Sequence, residues 1–332
     1  MFLIIGASGF IGTYLMDELV KQNIDVIATG RNVAAKKFYE RKQIKFVDLD
    51  ISNEHDFERL PTKGVEGVVL LAGLLPANAD KKYIKEYIDI NVNGTINALE
   101  YCKKNNIKKF ITTTSYADVQ KNWEKGVALP ADSPRNFYYS GDHAVYVISK
   151  CAAADLVQYY SAEYAINGSV FRLPPVYGVG PHSVIYANEK PYKSGLQVFI
   201  ERAIAGKTIR IFGDADVRRD VVYIKDVVQA FIKALKSQNA IGIYNIASGI
   251  DVSLNDQVKD IIDVFSMKGN RSNIEYIESQ QNNSISYKFD ISKAKNDFDY
   301  DPEFIPFKKM MIDYKKELEI NRFIFLSERN KI

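Results

Sequence analysis

Tyr146 and Lys150 stand four residues apart in a stretch of helix-forming residues. On a helix that spacing puts both side chains on one face, so the ammonium can favour the phenolate of a tyrosine whose pKa is ordinarily about 10. Near the N-terminus, Gly6-Ala7-Ser8-Gly9-Phe10-Ile11-Gly12 joins the apolar run Phe2–Ile5 to Thr13–Lys21, where leucine and valine recur at helical spacing. Glycines so placed allow a tight strand-to-helix turn, close approach of backbone to a pyrophosphate, and a helix packed closely on its strand. The helix N-terminus then offers free amides to the phosphates. An acid/base pair and a dinucleotide-binding turn in one chain point to redox chemistry on a bound nicotinamide. The Tyr-Lys spacing recurs at Tyr186 and Lys190. There the neighbouring Asn188 and Pro191 indicate a loop, and no strand ending in a serine precedes it, so we read that pair as coincidence.

The elements that must position these groups are an alternation of strands and helices. Strand-like runs occur at Asp25–Thr29, Ile44–Val47, Gly67–Ala72, Lys109–Thr113 and Gly168–Phe171, with helical periodicity over Tyr83–Asn105 and Val145–Tyr164. This pattern predicts an α/β fold, a doubly wound parallel sheet of Rossmann type with helices on both faces. Pro174, Pro175, Gly178, Gly180, Pro181 and Pro191 then punctuate a loop-rich region, which marks the crossing into a smaller C-terminal α/β domain. The expected division is a dinucleotide-binding domain over 1–172, with return segments near 220–249, and a mainly substrate-binding domain over 173–332.

Composition narrows the partners. The chain has 332 residues, 46% hydrophobic and 26% charged, with a net charge of +3. That charge is too small, and its lysine pairs too scattered, for a nucleic-acid-binding stripe. Cys102 and Cys151 have no metal or redox spacing, and neither do His55, His143 and His182, so no metal is expected and a reduced, cytoplasmic compartment is. The N-terminal apolar run is short for a secretory leader, and no segment reaches the roughly 18 apolar residues of a membrane span.

Several further landmarks occur in order. They are Asp50–Ile51, Leu71-Ala72-Gly73, Asn91 in Asn91-Val92-Asn93-Gly94-Thr95, Thr114–Ser115, Arg172 to Gly178, Arg219-Asp220-Val221-Val222-Tyr223 and Tyr244-Asn245-Ile246-Ala247-Ser248-Gly249. Together with the glycine turn and Tyr146/Lys150, they resemble an extended short-chain dehydrogenase/reductase of the NAD-dependent epimerase/dehydratase type, over Gly6 to about Pro306. Most members of that family act on nucleotide-linked sugars. The resemblance implies that Tyr146 moves the proton accompanying hydride transfer and that Lys150 also holds the nicotinamide ribose. Ser115 supplies the hydroxyl that positions the reacting oxygen, beside Thr114 on the substrate side. Alignment from Phe110–Ile111 gives Ser115 that role and alignment from Val119 gives it to Tyr116; the small hydroxyl at a strand end favours Ser115. Gly6, Ser8, Gly9, Phe10, Ile11 and Gly12 are implied cofactor contacts. So are Asp50, Ile51, Leu71, Ala72, Gly73, Asn91, Thr113, Pro174 and Val176. Arg219 matches the arginine that clamps the nucleotide diphosphate, a task suited to a bidentate guanidinium.

Cofactor choice rests on Gly30–Arg31 at the end of the second strand, where a carboxylate would bind the ribose hydroxyls of NAD and an arginine accommodates the phosphate of NADP. The pair favours NADP, with NAD second. The family's dehydratases follow the catalytic hydroxyl with an Asp–Glu pair, whereas Tyr116–Ala117 follow Ser115 here and Asp118 is out of register. Two reactions remain, reduction of a keto sugar and C4 epimerisation with NAD held throughout; the NADP lean favours the first. A dinucleotide sensor without catalysis would be expected to have lost Tyr146 and Lys150, and a reductase of a nonsugar ketone would not need Arg219. Two departures mark the substrate side: Pro175 replaces the usual asparagine before Val-Tyr-Gly, and Gln120 to Gly141 is a long insertion containing Trp123, Tyr138 and Tyr139. The resemblance also implies a homodimer formed through Tyr83–Asn105 and Val145–Tyr164. The apolar run Phe323-Ile324-Phe325-Leu326 is expected to pack on the second domain or on a partner subunit.

Overall fold

The computed structural model describes residues 1–76, 84–141, 143–181, 184–187, 190–280 and 285–327, and of residues 184–187, 190–192 and 326–327 the backbone alone. Seven strands form one parallel sheet: β1 (Phe2–Ile5), β2 (Val26–Gly30), β3 (Phe46–Asp48), β4 (Gly67–Leu70), β5 (Lys109–Ser115), β6 (Asn167–Leu173) and β7 (Gly242–Asn245). Their spatial order is β7-β6-β5-β4-β1-β2-β3. Strand order reverses between β1 and β4, which opens a crevice at their carboxyl ends. The strands are apolar along their length because both faces are covered. Ile4, Val69, Ile111 and Phe171 face one core with Leu15, Leu19 and Phe231. Leu3, Val68, Phe110 and Val170 face the other, with Leu99, Cys102 and Val157.

The helices used below are α1 (Phe10–Lys21), α2 (Val33–Arg41), α3 (Gly94–Lys104), α4 (Ala144–Tyr164), α5 (Gly195–Ile204), α6 (Ile224–Lys236), α7 (Leu254–Phe265), α8 (Ser292–Phe298), α9 (Phe307–Glu317) and α10 (Ile324–Ser327). The helix expected over Tyr83–Asn105 is broken. A short turn, Ile84–Tyr87, passes into a π-helical stretch, Ile88–Asn93, before α3 begins. The wider π turn accompanies Asn91, whose amide is drawn to the backbone of Leu74 across the crevice. The region around Tyr186 is likewise not a loop, since Val184–Ala187 and Lys190–Lys193 pair as an antiparallel hairpin. The side chains of Tyr186 and Lys190, and the whole of His182, lie outside the described residues.

A buried ion pair ties the framework together. Arg172, at the end of β6, is 1% exposed and so is Asp118. Nε donates to Asp118 Oδ1 at 2.8 Å and Nη2 to Oδ2 at 3.1 Å, while Nη1 reaches Ala131 O at 3.0 Å and Asn245 Oδ1 at 2.9 Å. The amide of Asn245 donates in turn to Leu129 O and Asp290 O. The insertion is therefore part of the framework: Ala128–Leu129 runs parallel to Lys288–Phe289, and Arg135 bonds Asp155 on α4 at 2.6 Å.

The apolar C-terminal run does not pack where it was expected. Phe325 is 1% exposed, with its ring 5.1 Å from Phe38 on α2, and Phe323 lies 6.2 Å from Tyr14 on α1. It covers the first two helices because their outer surfaces present aromatic rings, Tyr14 and Phe38, that would otherwise face water.

Removing one partner of the buried pair leaves the other charge without compensation, so Arg172→Met should cost about 3–5 kcal/mol. Urea unfolding should show the double variant Arg172→Met/Asp118→Asn losing less than the sum of the single changes. Full additivity would mean that the two side chains do not act as a pair.

Candidate functional site

The implied cofactor residues gather at the carboxyl ends of β1, β2, β4 and β5. Gly6 has φ +92, and a Cβ there would meet the Ala72 nitrogen at 2.6 Å; at Gly12 it would meet Gly6 O at 2.3 Å. No side chain fits in either place, which lets α1 start hard against the turn and leaves a backbone-lined cradle. Gly9, the residue after Ser8, caps α1 without a side-chain bond. Leu71 and Ala72 both donate to Ile5 O, at 2.8 and 3.0 Å, which sets Leu71, Ala72 and Gly73 alongside the turn. Tyr39 on α2 donates to Ala7 O at 2.8 Å and holds the turn from the opposite side.

Arg31 and Asp50 face each other at the ends of β2 and β3, Nη1 to Oδ2 at 3.1 Å. Asp50 also accepts from the Ser52 amide and hydroxyl. Although partial burial works against its charge, the bonds from Ser52 and Arg31 hold its carboxyl below the usual range. Ile51 is buried, with its carbonyl taking a bond from Asn97 on α3. Asn91 accepts from the Leu74 amide at 2.7 Å and donates to Ser149 Oγ at 3.0 Å, joining the segment after β4 to α4 one residue before Lys150.

Ser115 ends β5 and caps the following 3-10 turn, its Oγ accepting from Ala117 N at 3.2 Å. Because that bond uses a lone pair, the hydroxyl proton is left to donate elsewhere. Thr113 beside it is half-buried, while Thr114 is buried and its hydroxyl has no protein partner. Tyr146 and Lys150 occupy the first two turns of α4, where both are half-buried. Burial raises the Tyr146 phenol well above its ordinary value, and the neighbouring phenols of Tyr87 and Tyr116 push the same way. Burial lowers the Lys150 ammonium from 10.5 to about 8. Burial thus favours the neutral form of both groups. His143 caps α4 without a side-chain bond and is exposed.

An aromatic wall joins the turn after Ser115 to the insertion. Tyr116 stacks on Trp123 with centroids 5.1 Å apart and planes at 11°, and Tyr287 contacts both rings. Burial raises the phenols of Tyr116, Tyr177 and Tyr287, and the nearby positive charge of Arg219 works against that rise at each. Beside Arg219, Asp220 is fully buried and takes bonds from Ser248 N and Oγ, Gly249 N and Phe289 N, while Arg218 binds Asp251. Pro174 is buried; Val176 pairs with Val222 beside it. Sequence reading missed the wall because Tyr287 reaches Tyr116 and Trp123 from the far end of the chain, with no local motif around it. Among the described residues no cluster of His, Cys, Asp and Glu is suited to a metal, and no helix is long and apolar enough to cross a membrane.

Comparison with known proteins bears on the family and the fold. The chain is 28% identical over 299 residues to a putative UDP-glucose 4-epimerase of Methanocaldococcus jannaschii, covering 89% of this chain and 92% of that protein. It is 26% identical to the UDP-glucuronate 4-epimerase of Thermodesulfobacterium geofontis, with 91% of each chain covered. The solved UDP-glucose 4-epimerase of Thermotoga maritima with UDP-glucose shares the fold at a TM-score of 0.77 and 22% identity, over 96% of this chain and 99% of that one. The UDP-glucuronic acid 4-epimerase of Bacillus cereus in complex with NAD does so at 0.71 and 21%, over 96% and 99%. A family model matches residues 2–247, and the chain belongs to the NAD dependent epimerase/dehydratase family.

Proposed function

We propose that this enzyme is a nucleotide-sugar C4 epimerase that retains NAD through the catalytic cycle. What supports the reading is the presence, in a member of this family, of the glycine turn together with Ser115 at the end of β5 and Tyr146 and Lys150 in the first two turns of α4. The dinucleotide, when bound, supplies the hydride acceptor and a positive charge. Tyr146 Oη takes the proton of the sugar hydroxyl as the carbon is oxidised to a ketone. It returns that proton when the ketone, turned to its other face, is reduced. Ser115 donates its free proton to the reacting oxygen and keeps it beside Tyr146, while Lys150 holds the ribose and favours the phenolate. Because burial raises the phenol, Tyr146 needs a nearby positive charge before it can act as a base.

NAD replaces NADP as the preferred cofactor in this reading. The Gly30–Arg31 pair had favoured NADP, but Arg31 is engaged by Asp50, so a phosphate placed there would confront an ionised carboxylate. The relatives named for a cofactor carry NAD. With that change the argument for a ketoreductase loses its main support. Dehydration is disfavoured as well, because Asp118 is committed to Arg172 and cannot serve as acid or base at the sugar. A UDP-linked sugar is the substrate class, by likeness to the relatives, with Arg219 facing the diphosphate and the Tyr116–Trp123–Tyr287 wall facing the sugar. The exposed Ile88, Ile148 and Tyr159 along the α3–α4 side are read as the contact of a homodimer.

Mass spectrometry of the purified protein should find retained NAD, and Tyr146→Phe should keep it while losing about a hundredfold or more of epimerase turnover. Empty protein that takes up only NADPH would revive the reductase; unchanged turnover in Tyr146→Phe would remove the tyrosine from the chemistry. Competitive acetylation of the cofactor-free protein should titrate Lys150 near pH 8, the charged form dominating below and the neutral form above. A titration at the ordinary lysine value would show that burial does not govern this group. Sedimentation at micromolar concentration should give a dimer, and a monomer would remove the proposed contact.

A further inference from the structure

We propose that the C-terminal segment around Arg322 and Phe325 is a brace that sets the enzyme's affinity for its dinucleotide; this rests on reading the Gly6–Gly12 turn as the dinucleotide site. Arg322 joins three groups. Its guanidinium lies 4.3 Å over the ring of Tyr14, Nη1 bonds Asp17 on α1, and Nη2 bonds the buried Glu317 at 2.8 Å. Glu317 is itself paired with Lys225 on α6 at 2.9 Å, and Lys42, just past α2, stands 3.6 Å from Asp17. The charges close a network around the middle of α1, two turns from the pyrophosphate cradle.

Phe325 performs the matching task at α2. Its ring contacts Phe38, which contacts Tyr39 at 5.3 Å, and the Tyr39 hydroxyl bonds Ala7 O inside the glycine turn. The same helix begins at Asn32, whose side chain caps it from the residue after Arg31, at the adenosine-ribose end of the site. Tyr14 extends the contact from α1, touching Phe10 and bonding Val179 O. The brace thus touches both elements that bind the adenosine diphosphate half of the dinucleotide. The contacts just described do not involve Ser115, Tyr146, Lys150 or Arg219. Two consequences follow. Loosening it weakens dinucleotide binding without altering the sugar side, and by reciprocity of linkage, dinucleotide binding tightens the brace.

The test compares wild type, Phe325→Ala, Phe325→Leu and Arg322→Ala. Calorimetry should show NAD binding to Phe325→Ala and Arg322→Ala weakened by at least about tenfold, with Phe325→Leu close to wild type. At saturating NAD the KM for UDP-glucose should stay within about twofold of wild type. Hydrogen exchange of wild-type residues 322–327 should slow when NAD saturates the protein, a measurement that stands even if a variant fails to fold. Unchanged NAD affinity in folded Phe325→Ala, or exchange indifferent to NAD, overturns the brace. A wild type that binds neither NAD nor NADP overturns the dinucleotide reading itself, a different failure with a different signature.

Discussion

Much of this structure depends on one guanidinium being kept out of water. Arg172 is a β6 residue with no solvent to serve it, so each of its donors must find an acceptor or leave a buried charge uncompensated. The acceptors come from the 3-10 turn after Ser115, from the insertion at Ala131, and from Asn245 on β7. Through Asn245 the same net reaches Asp290, three residues beyond Tyr287. Because these segments meet at one charge, the serine end of β5, the insertion and the Tyr287 strand cannot shift independently. The aromatic wall is a consequence of that constraint.

The parts legible in the sequence are those whose chemistry is local. The glycine turn, the four-residue spacing of Tyr146 and Lys150, and the alternation of apolar strands with helices each lie within one or two elements, so spacing alone describes them. Arg172 and Asp118 were visible only as members of motifs, or as residues out of register. Their pairing crosses 54 positions and is enforced by burial, which a linear reading does not contain. Arg31 shows the same limit at the cofactor end: its identity suggested a phosphate ligand, and its partner Asp50, 19 positions on, changes its meaning. Tyr186 fails in the opposite direction, for Pro191 and Asn188 suggested a loop where backbone pairing makes a hairpin.

Burial acts on Tyr146 and Lys150 in opposite senses. Low dielectric raises the phenol and lowers the ammonium, so the neutral form of each is favoured. In the reaction proposed above, a positive charge beside the phenol would favour its ionised form while working further against the ammonium, so the two groups would not respond to it alike.

The C-terminal segment has a consequence for how the chain matures. Phe325 completes the covering of a helix that begins at Val33, and Arg322 caps charges on one that begins at Phe10. A ribosome delivers the first of these partners long before the second, so α1 and α2 wait with an exposed aromatic flank until residues 322–325 have emerged. Contacts of such long sequence separation slow folding and prolong exposure to association. A fragment that carries α1 and α2 without residues 322–325 is consequently a poor candidate for separate expression.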